Sequence, residues 1–407
     1  MPMRVLCCLL ALGWSAVPAS AQSAPPVRYL AAVSPGLPTE PAPRVPVFVP
    51  PAPAPSPLPD KANDNTKPAS PPAGVGELPK ARSDSSQAVD PKDPRSWLWE
   101  YRLAGFGEKD YRAAVDALFT DFETRFGKKL EPGSKHRAGL KVSTGTVGLT
   151  TPPALTRAVI AALVARGFKP EELFLVDQSE SRLRAAGYLP GAGAASDELF
   201  EGVPVLVLER GKYYDPTTWF YDSPLPAPDS AQQKYIRNEF DWKIKTNDRL
   251  SLLPVPLLLD VDFWINLPVG IDQPQLGVSG ALVNASLNLC NNTERFMQNP
   301  ATGAVAVAQM AAIPELSRGL VVTLLSLERY QFIGGPRFNA LYTESEPTLL
   351  MSQNPVILDS ILFDRINLAR SHARMPLLDQ PAFLDYARQV GLGDFSKSRI
   401  FLTRLPK

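Results

Sequence analysis

Residues 138–177 read AGLKVSTGTVGLTTPPALTRAVIAALVARGFKPEELFLVD, and their order decides the fold. "AGLKV" (138–142) reads as a buried strand. "PALTRAVIAALVARG" (153–167) spaces its apolar residues three and four apart, as an amphipathic helix does, and Gly167 ends it. "ELFLVD" (172–177) is a second strand. Strand, helix and strand within about forty residues predict a βαβ unit whose two strands run parallel.

The alternation continues toward the C-terminus. Strands are predicted over 203–208, 319–327, 347–353 and 398–405, with one or two more inside 252–268. Helices are predicted over 278–289, 304–316, 355–370 and 381–393. Residues 209–250, polar and aromatic with Pro-rich "SPLPAPD", are read as a long excursion. On the N-terminal side, Tyr111, Val115, Leu118, Phe119, Phe122 and Phe126 share one face of a helix over 108–127, and Gly127 suits its C-terminal cap. The fold class expected is α/β: an open, mostly parallel sheet with helices on both faces.

The composition changes at Asp93-Pro94-Arg95. The 407-residue chain holds 43 prolines, and they crowd its first quarter. Residues 22–95 are rich in Pro, Ala and Ser, bury little, and are expected to form a disordered, partly polyproline spacer. Before them stands MPMRVLCCLLALGWSAVPASAQS (1–23). Arg4 is a thin positive region, Val5 to Val17 an apolar core, and Ala19-Ser20-Ala21 an A-x-A cleavage signal. Residues 1–21 are therefore read as a secretory signal peptide, and the protein as exported, periplasmic or secreted. The folded domain is expected over 96–407. No later stretch is apolar for long enough to span a bilayer.

Cleavage leaves Cys290 as the one remaining thiol, so no internal disulfide and no iron–sulfur cluster are expected. The histidines are His136 and His372 alone, which argues against a zinc site of the usual kind. The formal net charge is +1 without long charged blocks, so no nucleic-acid partner is expected. A protein partner for the Pro-rich segment is not identified by its composition.

Ligands of open α/β sheets bind outside the carboxyl ends of the strands, and "STGTVGLTTPP" (143–153) occupies that place. Ser143, Thr144 and Thr146 bring hydroxyls, two glycines allow close backbone approach, and the following helix offers its positive end to an anion. Thr151 can cap that helix. The Walker and dinucleotide fingerprints are absent. The segment is therefore either a generic anion site or a well-made turn. Asp177 ends the second strand, where it can bind a ligand, act as a base, or cap the next turn. It is the one candidate for catalysis. No metal site is assigned.

Several segments taken in order resemble the uncharacterised family catalogued as domain of unknown function 362. They are "LKVSTGTVGLTTPPALTRAVIAALVARGFKPEELFLVDQS", "FWINLPVGIDQPQLGVSGALVNASLN" (263–288), "IGGPRF" (333–338), "LLMSQNPVILDSILFDRI" (349–366) and "VGLGDFSKSRI" (390–400). The resemblance implies that Asn266, Ser279, Asn284 and Asp359 are retained cleft residues, with Thr151 and Asp177. Val269-Gly270-Ile271-Asp272 stands where the family pattern has Lys and His, Val283 where it has Lys, and Asn354 where it has Asp. Many relatives carry a cysteine-rich ferredoxin-like insert, which a single Cys290 excludes here. The resemblance carries no established reaction.

Two readings follow. In one, Ser143, Thr144, Thr146 and Asp177 form one wall of a site for a small anionic or carboxylated ligand, and Asn266, Ser279 and Asn284 the other. In the second, the chain is a non-catalytic envelope module for binding or scaffolding, tethered by its Pro-rich spacer. Convergence of the two walls separates them.

Overall fold

The computed structural model describes residues 89–191, 198–215, 220–222, 250–297 and 300–406. The leader, the Pro-rich segment up to residue 88 and most of the excursion over 209–250 lie outside the described residues.

In chain order come β1 (Trp97–Arg102), α1 (Glu108–Phe126), β2 (Ala138–Lys141), α2 (Pro153–Val164), β3 (Leu173–Asp177), α3 (Glu180–Ala185), β4 (Leu199–Phe200) and β5 (Val203–Val207). Then β6 (Phe220–Asp222) and β7 (Leu250–Leu252) pair as a ribbon. Next are α4 (Val255–Leu259), β8 (Phe263–Asn266), β9 (Ile271–Gln273), β10 (Gly277–Ser279) and α5 (Ala281–Asn284). α6 (Glu294–Met297), α7 (Pro300–Ala311) and α8 (Pro314–Gly319) lead to β11 (Leu320–Ser326), β12 (Tyr330–Gln331), β13 (Thr343–Glu344) and β14 (Thr348–Ser352). The last elements are α9 (Pro355–His372), α10 (Ala382–Gln389) and β15 (Phe401–Leu405).

A 9-stranded sheet has the order β15-β1-β14-β11-β8-β2-β3-β5-β4. From β11 to β5 every pairing is parallel. β14 runs antiparallel to both β11 and β1, β4 antiparallel to β5, and β15 parallel to β1. The fold is thus the expected mostly parallel α/β sheet. A 4-stranded sheet, β10-β9-β12-β13, stands beside its carboxyl end.

Side chains alternate across a strand, so each face of the sheet buries its own core. Leu140, Leu175, Val205 and Ile265 pack with Tyr111, Phe119, Phe122, Leu155 and Val159 of α1 and α2. Phe174, Val176, Trp264 and Leu325 pack on the other face with α4, α5, α7, α9 and α10. Burying side chains of this size contributes about 1.5–3 kcal/mol each. Gly127 ends α1 with φ 64°, the left-handed conformation expected of a C-terminal glycine.

Two sequence expectations are corrected. The helix expected over 278–289 is a strand, a short helix and a 3-10 turn. Its apolar content is right, but Gly280 is pressed against α9, where a Cβ would lie 2.3 Å from Asp359 Oδ1. Ser279 ends β10. Within 252–268, part of the expected strand is α4, whose early position accommodates Pro256 where its missing N–H costs nothing.

Candidate functional site

The parallel strands change direction of growth between β2 and β8: β3 and β5 extend the sheet on one side, β8 and β11 on the other. That reversal is where a ligand crevice forms in open α/β sheets. Lys141 ends β2 and Asn266 ends β8, and the two are register partners. Asn266 is in turn register partner to Thr323 of β11. All three therefore project from one face of the sheet, beneath α5.

Lys141 is fully buried. Its ammonium donates to Asp177 Oδ1 at 2.8 Å, Asn284 Oδ1 at 3.0 Å and the Val142 carbonyl at 2.7 Å. Three N–H groups thus meet three acceptors. Burial pushes the ammonium below its usual lysine range, and the charge and hydrogen bond of Asp177 pull it back. Asp177 Oδ1 also accepts the Gln178 amide at 2.8 Å, while Oδ2 accepts the Thr144 amide and hydroxyl at 2.6 and 2.7 Å. Asn284 Nδ2 donates to Asn266 Oδ1 at 2.8 Å, and Asn266 Nδ2 donates to the Ala281 carbonyl at 2.8 Å.

The structure therefore brings Thr144, Asp177, Asn266 and Asn284 into one buried network, joined by Lys141. Lys141 is the member that sequence reasoning missed. Its signal was a lysine inside an otherwise apolar strand, which needs a buried acceptor. The network is closed: Asn284, the last residue of α5, fills the place above Lys141 and is itself buried.

The segment 143–151 is a turn clasped at its stem. The Ser143 amide donates to Thr151 Oγ1 and the Thr151 amide returns a bond to the Ser143 carbonyl, both at 2.8 Å. The Thr151 hydroxyl donates to the Leu267 carbonyl at 2.5 Å. It does not cap α2; Pro152 takes the N-cap position. At the tip the Leu149 amide closes onto the Thr146 carbonyl, with Gly148 at φ 88°. Positive φ at the third residue is what such a turn requires of glycine. Ser143 and Thr146 are half-buried on its rim.

Thr146, expected on one wall with Asp177, bonds another loop. Its hydroxyl donates to the Pro336 carbonyl at 3.0 Å, and Phe338 packs with Leu149, Val269 and Ile271. Phe338 belongs to the Gly-Gly-Pro segment after β12. The Gly334 and Gly335 amides donate to the two oxygens of Asp272 at 3.1 and 3.0 Å. This backbone nest, a ready anion site, is filled by the protein's own carboxylate. Arg337, next to Pro336, is exposed and has no ion-pair partner among the described residues. Ser279 is half-buried and pairs with Ile271 across β10 and β9.

Asp359 stands apart from Lys141, in the second turn of α9. It accepts the Ala281 and Leu282 amides at 2.5 and 2.9 Å. Full burial pushes its carboxyl up to about 7, against the lowering effect of those two amides.

A cavity of about 230 Å³ lies elsewhere, between α9 and the sheet edge, floored by Leu98, Leu350, Ile357 and Leu402. It contains none of the expected site residues. Cys290 is buried and its thiol is pushed up to about 11 by burial. In a chain without residues 1–21, which carry Cys7 and Cys8, the folded protein is therefore expected not to react with Ellman's reagent at pH 8, and to release one thiol equivalent on denaturation; prompt reaction of that native chain contradicts the burial. Among the described residues, no group of 3 or more His, Cys, Asp or Glu side chains is placed to hold a metal ion. No helix among them is long and apolar enough to cross a membrane.

No family model matches the chain, and no curated protein matches it. The chain is similar to a solved protein from Thermotoga maritima at 11% identity and a TM-score of 0.36, over 66% of this chain and 59% of that one. It thus spans less than two thirds of that protein's length, and a likeness this loose bears on neither site nor activity.

Proposed function

We propose that this chain is an exported α/β protein, a divergent relative of the domain-of-unknown-function-362 pattern, that binds a small anionic or carboxylated ligand at the carboxyl ends of its strands. One observation supports the reading: the loops after β2 and β12 dock on each other beside the switch point and leave Arg337 exposed without an acidic partner. Arg337 supplies the cation, and Thr146, bonded to the neighbouring Pro336 carbonyl, supplies the nearest assigned hydroxyl; Ser143 and Ser279 are the other hydroxyls proposed for the site. The Lys141 network is the frame beneath this rim. Both oxygens of Asp177 are filled, so no reacting role is assigned to it.

The saturation of that network favours the second reading, a binding or scaffolding module without a small ligand. A thermal-shift series on the full chain with phosphates and carboxylates separates the two. A ligand at 100 times its Kd adds about 2.7 kcal/mol, a rise of a few degrees in Tm. Under the ligand reading, Arg337→Ala and Thr146→Val abolish the rise while leaving the unliganded Tm near its original value. Folded protein that shifts with no anion of either class removes the ligand reading.

A further inference from the structure

β15 is the outermost strand of the 9-stranded sheet, and among the described residues no strand pairs with its outer side. The other open strand edges among these residues, on β4, β6, β7, β10 and β13, are two or three residues long, whereas β15 has 5. A long open edge is a template for another strand. The ladder tells which of its backbone groups are open. In a strand the N–H and C=O of one residue point to the same side, and the side alternates along the chain. The Trp97 carbonyl accepts the Ser352 hydroxyl at 2.7 Å, and the Leu103 amide donates to the Pro347 carbonyl at 2.8 Å, both toward β14. The odd residues of β1 therefore turn to β14, and Leu98 and Glu100 turn to β15. Leu98 is in register with Leu402, and Glu100 with Arg404. The parallel ladder thus takes the backbone of Phe401, Thr403 and Leu405, and the amides and carbonyls of Leu402 and Arg404 face outward. The side chains at this edge are apolar on both faces of the sheet. On one, Phe401 stacks on Trp97 with ring centroids 4.9 Å apart, and Trp97, Phe126 and Leu405 are only partly buried. On the other, Leu402 is 44% exposed and lines the cavity beneath α9.

We propose that β15 pairs with β15 of a second copy of this chain, antiparallel across a two-fold axis at Thr403, so that two sheets become one. This register uses every outward group. Leu402 of one copy exchanges both backbone bonds with Arg404 of the other, and the axis repeats the exchange. The side chains agree with it. Thr403 faces Thr403, Phe401 faces Leu405, and Leu402 faces Arg404, whose methylene stem lies over the exposed leucine. No like charges stand opposite each other. An axis at Arg404 would set two arginines face to face and Leu402 against Pro406, which has no amide to donate. An axis at Leu402 would set Arg404 against Ile400, outside the strand. The "FLTRL" strand (401–405) is therefore self-complementary in one register, as a two-fold interface requires. This interface shares no residue with the proposed anion rim and stands whether or not the rim binds a ligand.

Sedimentation equilibrium on the full chain in reducing buffer tests this. A small interface is a weak one, so the series runs from about 1 µM to about 1 mM. The mass is expected to rise from that of one chain to that of two. Arg404→Pro removes an outward amide and spares the ladder to β1. Two intermolecular bonds are lost across the axis, and the dimer is expected to weaken by roughly tenfold or more. Leu402→Lys sets a like charge against Arg404 of the other copy and is expected to weaken it as well. Leu402→Lys/Arg404→Glu sets opposite charges there and is expected to restore association. Urea midpoints show whether each variant is folded; if Arg404→Pro is not, Leu402→Lys and its double variant decide. A chain that stays monomeric over the whole series overturns the proposal. So does a dimer that the folded single variants leave unchanged. Loss in Leu402→Lys without recovery in the double variant overturns the register about Thr403.

Discussion

Replacing Lys141 with Met is expected to destabilise the domain by about 3–5 kcal/mol, one of the two largest effects foreseen for a single substitution here. Methionine fills most of the space, so the loss is electrostatic. Asp177 is left without its cation at 4% exposure, and Asn284 Oδ1 loses a donor. The Thr144 and Gln178 amides still bond the carboxylate, but partial dipoles do not replace a full charge at 2.8 Å. A urea titration measures the effect. Lys141→Met/Asp177→Asn is expected to recover a large part of it, because the amide that replaces the carboxylate carries no charge to bury. Equal midpoints for the single and double variants would show that packing around Lys141, and not its charge, sets the cost.

The Lys141 site also marks how far the sequence could be read. The fold class was legible because it rests on local pattern: the βαβ segment at 138–177, the aromatic face of α1, and the helix expected over 355–370, which is α9. Asn354 Oδ1 caps that helix, accepting the Val356 amide at 2.9 Å. What failed was short or depended on distant contacts. α4 and α5 have too few residues for a period to show, and Gly280 breaks the helix expected over 278–289 because of a carboxylate 79 positions later in the chain. The expected cleft residues were read only in part. Thr144, Asp177, Asn266 and Asn284 do converge, but nothing local to any of them tells that a lysine stands at the centre or that the group is sealed. Ser143 and Thr146 lie in the turn after β2, Ser279 pairs with Ile271 across β10 and β9, and Asp359 serves α5. A hydroxyl in a strand-end loop looks the same in sequence whether it faces solvent, a carbonyl or a ligand. Arg337 was not singled out at all, since an arginine in a loop carries no signal until its neighbours are known.

Gly335→Ala is expected to match or exceed the lysine substitution, for a steric reason. A Cβ at residue 335 would stand 1.8 Å from the Asp272 carbonyl oxygen. Backbone faces backbone there, so no side chain can turn aside, and the loop after β12 must lift away from β9. Lifting it breaks the bonds from the Gly334 and Gly335 amides to Asp272, whose carboxylate is 5% exposed. The cost of a buried charge stripped of its donors is about 3–5 kcal/mol. The same displacement carries off the Pro336 carbonyl that Thr146 bonds, so the rim proposed to bind an anion is lost with the fold's stability. Gly145→Ala is the control. Nothing lies within 4 Å of a Cβ at that position, and a surface change of this kind stays within about 0.5 kcal/mol. Urea midpoints for the two variants, measured beside the anion-induced rise in Tm, give the comparison. If Gly335→Ala unfolds at the wild-type midpoint, the close approach of the Gly-Gly-Pro loop to Asp272 is not a feature of the folded protein. In that case the anion rim loses the contact that positions Arg337.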